Sequence, residues 1–277
     1  MFLLTGILIG LVLGLTGAGG SVFAVPLLIM LTGISVHQAV GLSLGAVAVT
    51  AMFGCLRAKT RKTILFLPAM LLAVTGILLV PLGQWLGHQL DPQVLVLSFA
   101  LLAIVITLQM WRMASRNPET SSITRASDLA MDNSQGLLCR LSPNGQFQMR
   151  PRCMSGLLIG GAVVGVFSGI FGVGGGFLIV PLLLSLSQVS FRQAVGTSLL
   201  VITMISSIGF INFLLMSESA QNLPVYHMFW LMAGGVIGML SGQLLTDKIA
   251  NARLQKIFAI ALIVIVSLMA LSVISGG

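Results

Sequence analysis

Charge is what this chain has least of. Among 277 residues only six are acidic and 14 basic, 7% in all. A soluble protein carries about a quarter. So few polar heads cannot cover a water-facing surface, and a soluble fold is excluded. Cysteine is nearly absent too. Cys55, Cys139 and Cys153 are odd in number and lack metal-site spacing, so no disulfide framework is implied. The three histidines, His37, His88 and His227, lie far apart and none belongs to a carboxylate motif. No metal or other cofactor is expected. No nucleophile–base constellation is visible either, so no catalytic residues are assigned and the chain does not read as an enzyme. The first 56 residues carry no charge, hence no basic start to a cleavable signal peptide.

What remains is apolar: 57% of residues are hydrophobic and mean hydropathy is +1.08. This is an all-α integral membrane protein, and its first partner is the lipid bilayer. A net charge of +8 could suggest nucleic acid, but no basic stripe interleaves with aromatics. A membrane protein that keeps its bases on the cytoplasmic side looks basic without binding any. A span needs about 20 residues. The uncharged runs predict helices at roughly 2–16, 21–32, 37–56, 64–86 and 93–111, then 155–171, 176–187, 192–216, 226–246 and 254–274. Three parts follow: a membrane repeat over 1–111, a polar linker over 112–154 and a second membrane repeat over 155–277.

The chain matches itself at a shift of 155 residues without a gap. Gly6, Gly10 and Gly14 fall on Gly161, Gly165 and Gly169, and Gly17, Gly19 and Gly20 on Gly172, Gly174 and Gly175. Val25-Pro26-Leu27-Leu28 falls on Val180-Pro181-Leu182-Leu183, and Gln38-Ala39-Val40-Gly41 on Gln193-Ala194-Val195-Gly196. Across 6–44 against 161–199, 18 of 39 positions are identical. Shared hydrophobicity alone would not put glycines, a proline and a glutamine in one register. Gly83-Gln84 and Gly242-Gln243 extend the match weakly.

Charge decides how the halves are related. The second segment of each half is only about 12 residues, roughly 18 Å, and cannot cross a core of about 30 Å. If the first two segments form a short hairpin that returns to its own side, all 14 bases lie inside, including Arg57, Arg192 and the linker. Asp91 and Glu218 then lie outside. If the second pair passes straight through, Arg192, Lys248, Arg253 and Lys256 move outside. The hairpin arrangement is preferred. It makes the two sets of about five segments inverted repeats, the plan of many secondary transporters.

Each hairpin turns at glycines: Gly17-Ala18-Gly19-Gly20-Ser21 and Gly172-Val173-Gly174-Gly175-Gly176. Irregular backbone in hydrocarbon survives only against protein or a wet cavity. A helix starting after the turn points free N–H groups into it and suits an anion. Two such ends facing each other would make an amide-lined site for a small anionic substrate. The plainer alternative is that glycine lets helices pack. The site reading is preferred at the turns, the packing reading at the GxxxG-spaced glycines before them. Ser21, Gln38, Ser43, Gln193, Thr197 and Ser198 could donate hydrogen bonds to the anion, or they could bond between helices.

The doubled pattern G-x-x-x-G-x-x-x-x-G-x-G-G-x-x-x-x-x-P, followed about a dozen residues later by Q-A-V-G-x-S, resembles the sulfite exporter TauE/SafE group, the 4-toluene sulfonate uptake permease family. The resemblance implies a bacterial-type inner-membrane permease for sulfur-containing or organic anions such as sulfite or sulfonates. No Asp, Glu, Lys or Arg falls at the expected depth of any span, which suggests a carrier without a titrating relay. An exported monovalent anion gains about 2.3 kcal/mol per 100 mV of inside-negative potential, which favours export. A passive anion channel and a non-transporting assembly subunit are the rival readings.

Overall fold

The computed structural model describes residues 1–16, 19–60, 63–116, 140–141, 147–148, 151–187, 189–216, 225–246 and 264. The helix expected at 254–274 lies outside them except for Val264, which is helical. In chain order the helices are α1 (Phe2–Thr16), α2 (Ala24–Thr32), α3 (Val36–Thr60), α4 (Phe66–Gln89) and α5 (Pro92–Arg116). Then come α6 (Pro151–Phe171), α7 (Gly176–Leu186), α8 (Phe191–Met216) and α9 (Val225–Thr246). A 3-10 turn, Gly19–Phe23, precedes α2. In the linker, β1 (Arg140–Leu141) pairs antiparallel with β2 (Phe147–Gln148). Cys153, at the start of α6, is disulfide-bonded; the odd cysteine count had not suggested it.

Apolar residues cover these helices on all sides, so the surface is apolar as well as the core. Leu78, Leu101, Ile159 and Leu215 are 66–79% exposed, as lipid-facing side chains are in a helical membrane protein. Among the described residues, four helices are long and apolar enough to cross a membrane: Val36–Ala58, Phe66–Gln89, Cys153–Phe171 and Arg192–Leu215. α1, with 15 residues, reaches about 22 Å and α7, with 11, about 16 Å.

Glycine contacts fix the register of the bundle. α1 runs in the same direction as α9, with Gly6 against Leu231, Gly10 against Gly235 and Gly14 against Met239 and Gly242. The second half repeats this: on α6, Gly161 meets Leu72 of α4, Gly165 meets Gly76, and Gly169 meets Val80 and Gly83. A Cβ at any of the six glycines would run into a main-chain oxygen of the partner helix. That is the close backbone approach that GxxxG spacing permits.

α3 and α8 correspond under the 155-residue shift, and they cross in opposite directions. Gly41 meets Phe213, Gly45 meets Phe210 and Gly54 meets Leu199. The registers pass each other near Thr50 and Ile205, which correspond under the same shift. α8 runs with α4, placing Thr197 at Leu65, Ile205 at Gly76 and Gln84 at Gly209. α9 runs with α3, placing Met232 at Gly45, Thr50 at Gly235 and Gln243 at Gly54. α7 doubles back along α6, since Gly175 lies by Val164, Gly160 by Leu182 and Gly156 by Leu186. These directions bring Arg57 and Arg192 to one end of the bundle, with the start of α6 and the C-terminal end of α9. The opposite end carries Asp91, the stacked rings of His37 and His88 (4.9 Å) and those of Phe2 and His227 (4.3 Å).

Candidate anion site at the second glycine turn

α6 ends at Phe171, and the Gly172 N–H donates to the Ser168 carbonyl at 2.9 Å. Gly172, Gly174 and Gly175 then adopt φ of 67°, 69° and 71°. A side chain would cost roughly 1–2 kcal/mol at each such left-handed position, so glycine is required. The three left-handed steps carry the chain back along α6 until α7 can begin at Gly176. Gly175 is the cap residue of α7 and supplies no side chain. Its carbonyl accepts from Leu178 and Ile179. Among the described residues, none accepts from the N–H groups of Gly174 to Phe177. The end of α7 is therefore electropositive and unsatisfied.

Gly174 sits between the two crossing helices, against Val47 of α3 and Ile202 and Ser206 of α8. These lie at most three residues from Thr50 and Ile205, or within about 5 Å along the axis. The open end of α7 is thus at mid-height of the bundle. Ser43 of α3 holds the turn from the other side: its hydroxyl lies 2.6 Å from the Gly172 carbonyl and 2.7 Å from that of Val40, and donates to them.

Hydroxyls in this bundle generally donate to the carbonyl one turn back. Thr50 does so to Ala46, Ser187 to Leu183, Thr203 to Leu199 and Ser241 to Ile237. Ser168 and Ser206 depart from the rule. Both are fully buried and neither Oγ has a hydrogen-bond partner among the described residues. Each orphan costs about 1–3 kcal/mol of desolvation. Ser206 Oγ lies 2.7 Å from the place a Cβ on Gly174 would take, so it borders the turn directly.

The first turn is built differently. Gly17 and Ala18 fall outside the described residues. Gly19 to Phe23 wind into the 3-10 turn, and Gly20, the counterpart of Gly175, has no left-handed φ. Gly20 is needed for proximity instead, because a Cβ there would strike the backbone of Val12 and Leu13. Ser21 is fully buried. The two turns adjoin: Leu15, Val22 and Phe23 share one apolar cluster with Phe171, Val173 and Phe177. These side chains pack between the described parts of the two turns. Beside them a cavity of about 10 Å³, lined by Val25, Val40, Leu95, Phe99 and Phe171 among others, has room for one water at most.

Gln193, Gln38, Thr197 and Ser198 make their described bonds away from the second turn. Gln193 Oε1 accepts from the N–H and hydroxyl of Ser190 at 3.1 and 3.0 Å, and the Gln193 N–H donates back to Ser190 Oγ at 3.3 Å. This is a capping box at the start of α8. Gln38 forms half of the equivalent at α3, its N–H donating to Ser35 Oγ at 3.4 Å. Gln193 lies nine residues, roughly 14 Å of helix, from Ile202 beside the turn. Thr197 Oγ1 accepts from the Leu65 N–H at 3.0 Å, and Ser198 donates to the Val195 carbonyl at 2.8 Å. Of the side chains singled out, Ser43 is the one with a described contact to the second turn.

A buried polar cluster went unread in the sequence. Gln84 Nε2 donates to the Gly209 carbonyl at 2.7 Å, and Asn212 Nδ2 donates to Gln84 Oε1. Its counterpart is Gln243 beside Gly54, whose buried Oε1 has no partner. The matching Gly83-Gln84 and Gly242-Gln243 pairs were the available signal.

Comparison with known proteins gives the class first. The chain is 28% identical to a probable membrane transporter protein of Xylella fastidiosa, over 94% of this chain and 90% of that one. It is 26% identical to a probable membrane transporter protein of Haemophilus influenzae, over 95% and 94%, and 26% identical to the probable membrane transporter protein YdhB of Bacillus subtilis, over 86% and 88%. With its apolar spans, this is a multi-pass membrane protein of the transporter class. Residues 2–269 match the model of the sulfite exporter TauE/SafE family, and the chain belongs to that family. No solved structure matches it.

Proposed function

We propose that this protein is a permease for small sulfur-containing or organic anions of the sulfite and sulfonate type, working by alternating access. The observation that carries the reading is the placement of the α7 end. A helix terminus with unsatisfied amides sits at mid-height, between two repeat-equivalent helices that run in opposite directions. Equivalent helices crossing antiparallel support inverted repeats, with the pseudo-two-fold axis lying in the membrane plane. On this reading, the packed apolar side chains between the turns correspond to an occluded conformation. Substrate enters when one half rocks against the other.

The end carrying Arg57 and Arg192 faces the cytoplasm of a bacterial inner membrane, with the linker on that side. The bias of all 14 bases outweighs the single Cys153 disulfide, which alone would favour an oxidising compartment. Export follows from the inside-negative potential, which assists an outgoing anion by about 2.3 kcal/mol per charge per 100 mV.

Flux in proteoliposomes, with the potential clamped, tests the reading across sulfite, sulfonates, sulfate and carboxylates. Saturable movement of sulfite or a sulfonate is expected. Flux far above carrier rates would indicate a channel. No flux of any anion would leave an assembly role.

A further inference from the structure

The permease reading leaves open which groups hold the anion, and the two turns are not equivalent in what they offer. Resting on that reading, we infer that the oxyanion is held on one side, by the amides at the second turn together with the hydroxyl of Ser206. The ligand class is a compact oxyanion with at least two acceptor oxygens, as in sulfite, a sulfonate or sulfate.

Two independent features meet at this place. The amides of Gly174 to Phe177 have no acceptor among the described residues. Ser206 Oγ, on a different helix and fully buried, also has no partner and abuts Gly174. A buried serine in a helix has an acceptor at hand in the carbonyl one turn back, and Thr50, Ser187 and Thr203 all use it. Ser206 forgoes that bond. A hydroxyl left without a partner beside amides left without partners is a set of donors awaiting an acceptor. An oxyanion supplies several lone pairs and satisfies them together, with charge-assisted bonds.

The first half cannot copy this arrangement. The position equivalent to Ser206 is Ala51, and that equivalent to Ser168 is Leu13. Gly20, the counterpart of the left-handed Gly175, also has no left-handed φ. The hydroxyl therefore belongs to one half alone. In the present conformation Val47, Ile202 and Ser206 close directly on Gly174. Binding thus requires the turn to move away from α3 and α8, which couples loading of the site to opening.

The test uses the full-length protein in detergent and in proteoliposomes, comparing wild type with Ser206→Ala. Sulfite is the probe, with methanesulfonate in parallel. Two readouts move in opposite directions if the inference holds. Without anion, Ser206→Ala unfolds at the same temperature as wild type or higher, because a buried orphan has been removed. The sulfite concentration that half-maximally raises the unfolding temperature, and the KM for flux, both rise about tenfold or more. Ser241→Ala, which removes a hydroxyl bonded within its own helix, leaves both unchanged. A serine serving only the fold would show the reverse, losing stability while keeping its sulfite response. That result, or an unaltered KM in Ser206→Ala, overturns the one-sided site while leaving the permease intact. A wild type indifferent to every anion overturns the permease reading and this inference with it.

Discussion

The two hairpins share a sequence pattern and differ in construction. At the second, three left-handed glycines throw the chain back and leave α7 with open amides beside Ser206. At the first, the residues described wind into a 3-10 turn pressed onto α1 through Gly20. Gly20 and its counterpart Gly175 thus do different jobs, close approach in the first half and conformational freedom in the second. The polar clusters differ in the same way: Gln84 is tied to Gly209 and Asn212, whereas Gln243 keeps a buried oxygen unpaired. The alternating access proposed above would need such a difference between repeat-related halves, since exchanging their conformations would turn one state into the other.

Substitutions can break or sharpen that comparison. The largest effect is expected where the halves agree. Gly10→Leu and Gly165→Leu each force a side chain into a partner backbone, so folded protein recovered from membranes should fall to background in size-exclusion profiles. Next come the turns. Gly174→Ala should insert and fold but lose tenfold or more of its flux, because a left-handed residue carrying a Cβ costs about 1–2 kcal/mol and meets Ser206. Gly20→Ala should instead show its damage in thermal stability, through collision with Leu13. Equal behaviour of the two would erase the contrast between turns.

The polar clusters give a smaller separation. Gln84→Ala leaves Asn212 and the Gly209 carbonyl without their partner, and should cost about 1–3 kcal/mol in unfolding measurements. Gln243→Ala removes an oxygen that already lacks one and should cost clearly less. The smallest effect is expected at the start of α8. Gln193→Ala breaks the capping box for roughly 1 kcal/mol of stability, with KM for sulfite unaltered. A raised KM would return Gln193 to the substrate path.

Much of the fold was legible because lipid imposes a simple rule on composition. Uncharged runs of about 20 residues located the long helices, and the self-match located both turns. The packing role of Gly6, Gly10, Gly14 and their counterparts followed from spacing alone. The polar residues were harder. Gln38 and Gln193 repeat faithfully, which drew them into the candidate site, yet S-x-x-Q is also a helix-start signature, and Ser190 and Gln193 use it so. Ser206 does not repeat and stands in a run of apolar residues, so nothing in the sequence set it apart from serines that bond within their own helix.

Sequence by itself determined that this chain lives in a membrane, that it is doubled, and where each half is interrupted. Those properties depend on composition and periodicity, which are local. Only the tertiary structure decided that α3 and α8 cross near Thr50 and Ile205, that the second turn lodges at their crossing, and that Ser206 is left facing it. Those depend on which helix lies beside which, and a donor without an acceptor is recognisable only once its neighbours are in place.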